Sequence, residues 1–142
     1  MNDLRTDKFI EIYQKLSKDN LHLLDDIYDP DIQFVDPFHQ INGLVDLHNY
    51  FAKLYQNVTA CHFDISHAVT VNDHAFVYWT MFYRHPKLNR GQQIEVEGHS
   101  RLTYVADKII AHQDYFDGGA LLYRHIPILS SIIKYIDKKA AQ

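Results

Sequence analysis

The chain has 142 residues, 46% hydrophobic and 23% charged, with a net charge of −4. That length suits one domain spanning 1–142 with a core able to hold a pocket. The slight acidity excludes a basic field that would draw it to nucleic acid or an anionic membrane surface. A lone cysteine, Cys61, excludes an internal disulfide and points to a reducing, cytoplasmic setting.

In chain order, MNDLRTDKF lacks an apolar leader, so no signal peptide is expected, and no run of 18 apolar residues follows. Phe9, Ile12, Tyr13 and Leu16 share a helical stripe, which predicts a helix over 4–18. Asn20 is placed to cap a short second helix carrying Leu23, Leu24 and Ile27. YDPD (28–31) breaks that helix at Pro30, and a short strand is expected over 32–36. Gly43 opens a third helix with Leu44, Leu47, Phe51 and Leu54 on its buried side. The period then changes to two. CHFDISHAVTV (61–71) puts Cys61, Phe63, Ile65, Val69 and Val71 on one face, with Asn72-Asp73 as a hairpin turn. HAFVYWTMFY (74–83) is apolar on both faces, as a strand covered on both sides would be. After the loop at 85–93, IEVEGHSRLTYV (94–105) is a long strand in which Gly98 can mark a bulge. Ala106-Asp107 turns into KIIAHQDYFD (108–117), which Gly118-Gly119 ends. The tail spaces Leu129, Ile132, Ile133 and Ile136 as a helix that should cap something or pair with another subunit. Segregated helices and long antiparallel strands predict an α+β fold.

Strand parity points Ile32, Phe34, Asp36 and Phe38 to one side. A carboxylate among such neighbours loses hydration, which disfavours its charged form and suits it to take a proton. The same Asp36 can instead bond turn amides ahead of Pro37. Tyr13 lies on the buried stripe, where its ring packs and its hydroxyl seeks a partner. His112 and Asp114 share a face with Ile110 and Phe116. His99 falls with Glu95, Glu97 and Arg101 in a polar row, unless a bulge at Gly98 reverses it. His39 is placed at a cavity mouth, and Trp79 with Tyr83 form an aromatic wall or plain core. His48 and His67 read as core histidines. There is no HExxH, no cysteine cluster, no GxSxG and no glycine-rich phosphate loop, so neither metal nor nucleotide cofactor is expected. Cys61 and His62 face opposite ways and form no nucleophile pair.

The element order, with FVDPF (34–38) before a helix and IIAHQDYFD (109–117) near the end, resembles the nuclear transport factor 2-like superfamily. Within it the chain is most similar to the SnoaL-like group. The resemblance implies a conical barrel: a curved, mostly antiparallel sheet wrapped around N-terminal helices, with a hydrophobic pocket and often a dimer through the sheet. Relatives include ketosteroid isomerases, polyketide cyclases, dehydratases and epoxide hydrolases, as well as pure binding proteins. By this likeness Asp36 matches the isomerase base and Tyr13 the enolate-stabilising tyrosine, once one residue is gapped. Asp114 matches the cyclase acid/base, with His112 setting its protonation. His99 stands where isomerases carry an aspartate, which breaks that match, although dehydratases combine Asp with His. The epoxide hydrolase Arg and paired Asp are absent from GHSRLTYV (98–105). The expected function is cofactor-free isomerisation, cyclisation or dehydration of a small apolar carbonyl or hydroxy compound. The alternative is a non-catalytic pocket for a hydrophobic small molecule, or a dimeric interaction module. Phe34, Phe38, His39, Phe51, Trp79, Tyr83 and Phe116 are the expected pocket lining. A homodimer is expected, with no nucleic-acid or membrane partner.

Overall fold

The computed structural model describes residues 3–141. Helix α1 (Leu4–Lys15) starts where the Asp3 carboxylate accepts from the Arg5 amide. It stops short of the expected residue 18 because of Asn20. That side chain donates to the Lys15 carbonyl at 2.8 Å and accepts from the Ser17 amide at 2.7 Å. Asn20 therefore closes α1 and makes no side-chain cap on the next segment, which is a 3₁₀ turn over Leu21–Asp26. Strand β1 (Tyr28–Val35) begins inside YDPD, earlier than its sequence suggests. Pro30 is tolerated there because the ladder to its neighbour slips between Tyr28 and Gln33, so its missing N–H falls where pairing is interrupted.

A short β2 (Gln40–Asn42) and helix α2 (Leu44–Asn57) follow, the helix opening at Gly43 with φ +93°. Four long strands come next: β3 (Ala60–Val71), β4 (His74–Arg84), β5 (Ile94–Val105) and β6 (Lys108–Phe116). The sheet runs β2-β1-β6-β5-β4-β3, curved and unclosed, so the expected barrel is an open wrap. Every pairing is antiparallel except β1 with β6. The concave face packs on α1 and α2 through Phe9, Ile12, Tyr13, Leu47 and Phe51.

Two bulges overturn the simple parity of the sequence. In β3 the register shifts between Ile65 and His67, leaving Ser66 extra. Cys61, Phe63 and Ile65 face in, but Ala68 and Thr70 replace Val69 and Val71, which are exposed. His67 consequently lies outside and is no core histidine. His48 is half-buried and contacts Asp25 at 2.6 Å. In β6 the shift leaves Ile110 unpaired, so Ile109 rather than Ile110 joins the face of His112, Asp114 and Phe116. Gly98 makes no bulge: it pairs in register with Trp79 and Phe116. It is glycine because a Cβ there would sit 2.4 Å from the Trp79 indole.

The outer side of β4 is not covered in this chain: Tyr78 is 43% exposed. Helix α3 (Gly118–Leu121), a turn at Tyr123–His125 and α4 (Pro127–Ala140) complete the chain. Helix α4 buries none of its residues, and Ile128 is 80% exposed. Arg124 ties it back by bridging Asp117 and Asp137. Among the described residues no helix is long and apolar enough to cross a membrane.

Candidate active site

The wedge between sheet and helices encloses a cavity of about 450 Å³. Its walls carry all seven expected lining residues: Phe34, Phe38, His39, Phe51, Trp79, Tyr83 and Phe116. Tyr13, Asp36 and Asp114 reach it as well. Inward parity along β1, β4 and β6 puts Phe34, Trp79, Tyr83, Asp114 and Phe116 there, and α1, α2 and the turn after β1 supply the others. At the rim Phe38 packs on Tyr123, and the Tyr83 hydroxyl donates to the Leu121 carbonyl, holding α3 over the opening.

Asp36 satisfies both readings of its sequence. It is 8% exposed and lines the cavity. Its Oδ1 accepts from the amides of Phe38 (2.8 Å) and His39 (2.7 Å), an Asx turn around Pro37. The Tyr50 hydroxyl donates to Oδ2 at 3.1 Å, and the His39 ring lies 3.1 Å from Oδ1. With this many donors the carboxylate acts first as a turn clamp.

Asp114 is held differently. Its Oδ1 accepts from the Ser100 hydroxyl at 2.5 Å and lies 2.7 Å from His112 Nε2. No protein group bonds Oδ2 among the described residues, and the side chain keeps 17% exposure toward the cavity. His112 stands behind it, 1% exposed, packed at tilted and edge-on angles among Phe34, Phe9 and Tyr13. Its Nδ1 lies 2.7 Å from the Tyr28 hydroxyl, which lies 2.5 Å from the Tyr13 hydroxyl. Trp79 Nε1 donates to Ser100 at 2.9 Å. One continuous network thus joins α1, β1, β4, β5 and β6. Burial pushes the Tyr13 and Tyr28 hydroxyls well above the ordinary tyrosine range. Burial also raises Tyr50, with the Asp36 charge adding to it, and lifts the Cys61 thiol to about 12.

His99 does not join this site. With β5 unbulged at Gly98, it points to the convex face, stacked on Tyr115 and tilted against Tyr78. The polar row predicted by parity is the one that exists, and the resemblance to a third catalytic element finds no group there.

Sequence reasoning missed Tyr28, Ser100 and Tyr50. Two of them left a signal. Ser100 sits on the inward row of Val96 and Leu102, and Tyr50 lies one helical turn from Leu47 and Leu54. Tyr28 was hidden by the reading of YDPD as a break.

The model of the SnoaL-like domain family matches residues 9–112. No curated protein sequence matches the chain. Solved structures of the same fold do. A nuclear transport factor 2-like protein of unknown function from Burkholderia pseudomallei K96243 has a TM-score of 0.76 at 12% identity, with 88% of this chain and 98% of that one covered. A proposed SnoaL-like polyketide cyclase from Jannaschia sp. CCS1 has a TM-score of 0.75 at 11% identity, with 86% and 90% covered. A hypothetical protein of ketosteroid isomerase-like fold from Catenulispora acidiphila DSM 44928, in complex with trimethylamine, scores 0.75 at 15% identity, with 88% and 94% covered. At such identities these similarities establish the fold and nothing finer.

Proposed function

Because the chain belongs to the SnoaL-like domain family, with a nuclear transport factor 2-like fold, we propose that it is a cofactor-free acid/base enzyme acting on a small, largely apolar carbonyl or hydroxy compound. The observation that carries this is Asp114. One of its oxygens is fixed by buried His112 and by Ser100, and the other opens into a mostly apolar cavity. A carboxylate oriented in this way takes a proton from a bound ligand and returns it, with His112 holding its geometry. Isomerisation, cyclisation and dehydration all use such a step. Asp36 shapes the wall and carries no proton in this scheme, since both its oxygens are engaged.

The test is carbon–hydrogen exchange in deuterated water, followed by mass spectrometry, over a panel of hydroxy-ketones and polyketide-like phenols. The wild type should exchange at least one of them, and Asp114→Asn should slow it about 10²-fold or more. Equal rates in the two proteins, or no exchange and no product across the panel, sink the proposal.

A second reading, a binding pocket without turnover, is favoured by one observation: His99 lies outside, so the isomerase set is incomplete. Thermal-shift binding of lipid-like or polyketide-like ligands with no product would establish it. We also propose that the convex face around Tyr78, His99 and Tyr115 meets a second copy of this chain. Sedimentation of the purified protein should give a dimer mass, and a monomer at all concentrations refutes it.

A further inference from the structure

The direction of each hydrogen bond along the deep wall follows from the ends of the network. Trp79 Nε1 only donates, so Ser100 accepts from it and gives its own hydrogen to Asp114 Oδ1. The Asp114 carboxylate accepts, so His112 donates from Nε2. In a neutral ring His112 Nδ1 then accepts the Tyr28 hydrogen, and Tyr28, having donated, accepts the hydrogen of Tyr13. The opposite direction would leave the Tyr13 hydrogen without a protein partner, whereas this one satisfies every hydroxyl. Tyr50 gives its hydrogen to Asp36, and Tyr83 to the Leu121 carbonyl. The tyrosine, serine and indole hydrogens of the wall are all taken up within the protein. What the wall leaves for the ligand is an acceptor, the unbonded Oδ2 of Asp114, with Tyr13 lining the cavity beside it. The strong donors that remain, on His39, Asn57 and His85, belong to residues that are exposed or half-exposed, and the Cys61 thiol is a weak donor.

We propose that the deep end of this cavity selects its ligand by hydroxyl hydrogens, taking a hydroxylated and otherwise apolar ring compound and rejecting the ketone of the same shape. A ketone oxygen placed there would face lone pairs and lose its hydration without replacement. The inference rests on the reading of the cavity as the ligand site, but not on turnover.

The test is calorimetric binding of a matched pair, 1-tetralol and 1-tetralone, to the full chain. The alcohol should bind about tenfold or more tightly than the ketone, as expected for a hydrogen bond to a charged acceptor. Tyr28→Phe frees the Tyr13 hydrogen to point into the cavity, and the preference should shrink to about threefold or less. Nitrogen-15 spectra of labelled histidine should show the His112 hydrogen on Nε2 and a bare Nδ1. A ratio near one in the wild type, an unchanged ratio in Tyr28→Phe, or a hydrogen on Nδ1 overturns the inference. Failure of both compounds to bind overturns it as well. A chain that binds 1-tetralol selectively yet converts nothing in the exchange panel sinks the enzymatic reading alone.

Discussion

Two aspartates line the cavity, Asp36 from the turn after β1 and Asp114 from β6, and their surroundings give them different work. Asp36 is clamped by two backbone amides and a tyrosine, so its loss should be felt in stability. Asp36→Ala leaves those buried donors unpaired and should cost about 1–3 kcal/mol, read from the denaturant midpoint. The tyrosines supply a second expectation. An unfolded tyrosine ionises near pH 10, while Tyr13 and Tyr28 are pushed well above that by burial. Stability is therefore complete below pH 10 and declines as the pH climbs past it, because only the unfolded chain releases these protons. Tyrosinate absorbance should rise late, together with unfolding, and Tyr28→Phe should make the alkaline loss of stability shallower. Both aspartates were legible in the sequence, because a charged group on a greasy strand face stands out. The partners of the Asp114–His112 pair were not: which serine meets Asp114 and which tyrosine meets His112 depends on register across three strands, and one sequence does not carry register.

At the scale of elements, periodicity located each long strand to within a residue or two, and it failed where a strand carries an extra residue. Ser66 turns the second half of β3 over, so its valines face outward. Ile110 does the same work in β6 and moves Ile109 inside. A bulge of this kind leaves no mark in a hydrophobic pattern, since both phases read as plausible strands. Gly98 was the one glycine in a strand, and its reason is room for an indole rather than an irregular ladder. Gly98→Ala should therefore destabilise by about 1–3 kcal/mol through overpacking. Trp79 is the lone tryptophan, so a shift in its emission reports the displacement directly.

For the molecule as a whole, the order of helices and strands was readable and predicted the α+β class. The placement of β1 beside β6 was not readable, because a parallel contact between the two ends of a chain has no local signature. Helix α4 was expected to cap something or pair with another subunit; within this chain it buries none of its residues and is tied back through exposed ion pairs. Such pairs contribute little. Removing residues 126–142 should change the unfolding free energy by less than about 1 kcal/mol, measured by urea denaturation.

The parallel ladder between β1 and β6 also bears on how the protein is made. Phe34 is placed opposite His112, and β6 is the last strand to leave the ribosome. Until then β1 has only the three-residue β2 to pair with, and Tyr28 has no imidazole to meet. Nascent chains halted before residue 108 should remain open to protease along β1, with protection arriving in one step once the final strand has emerged.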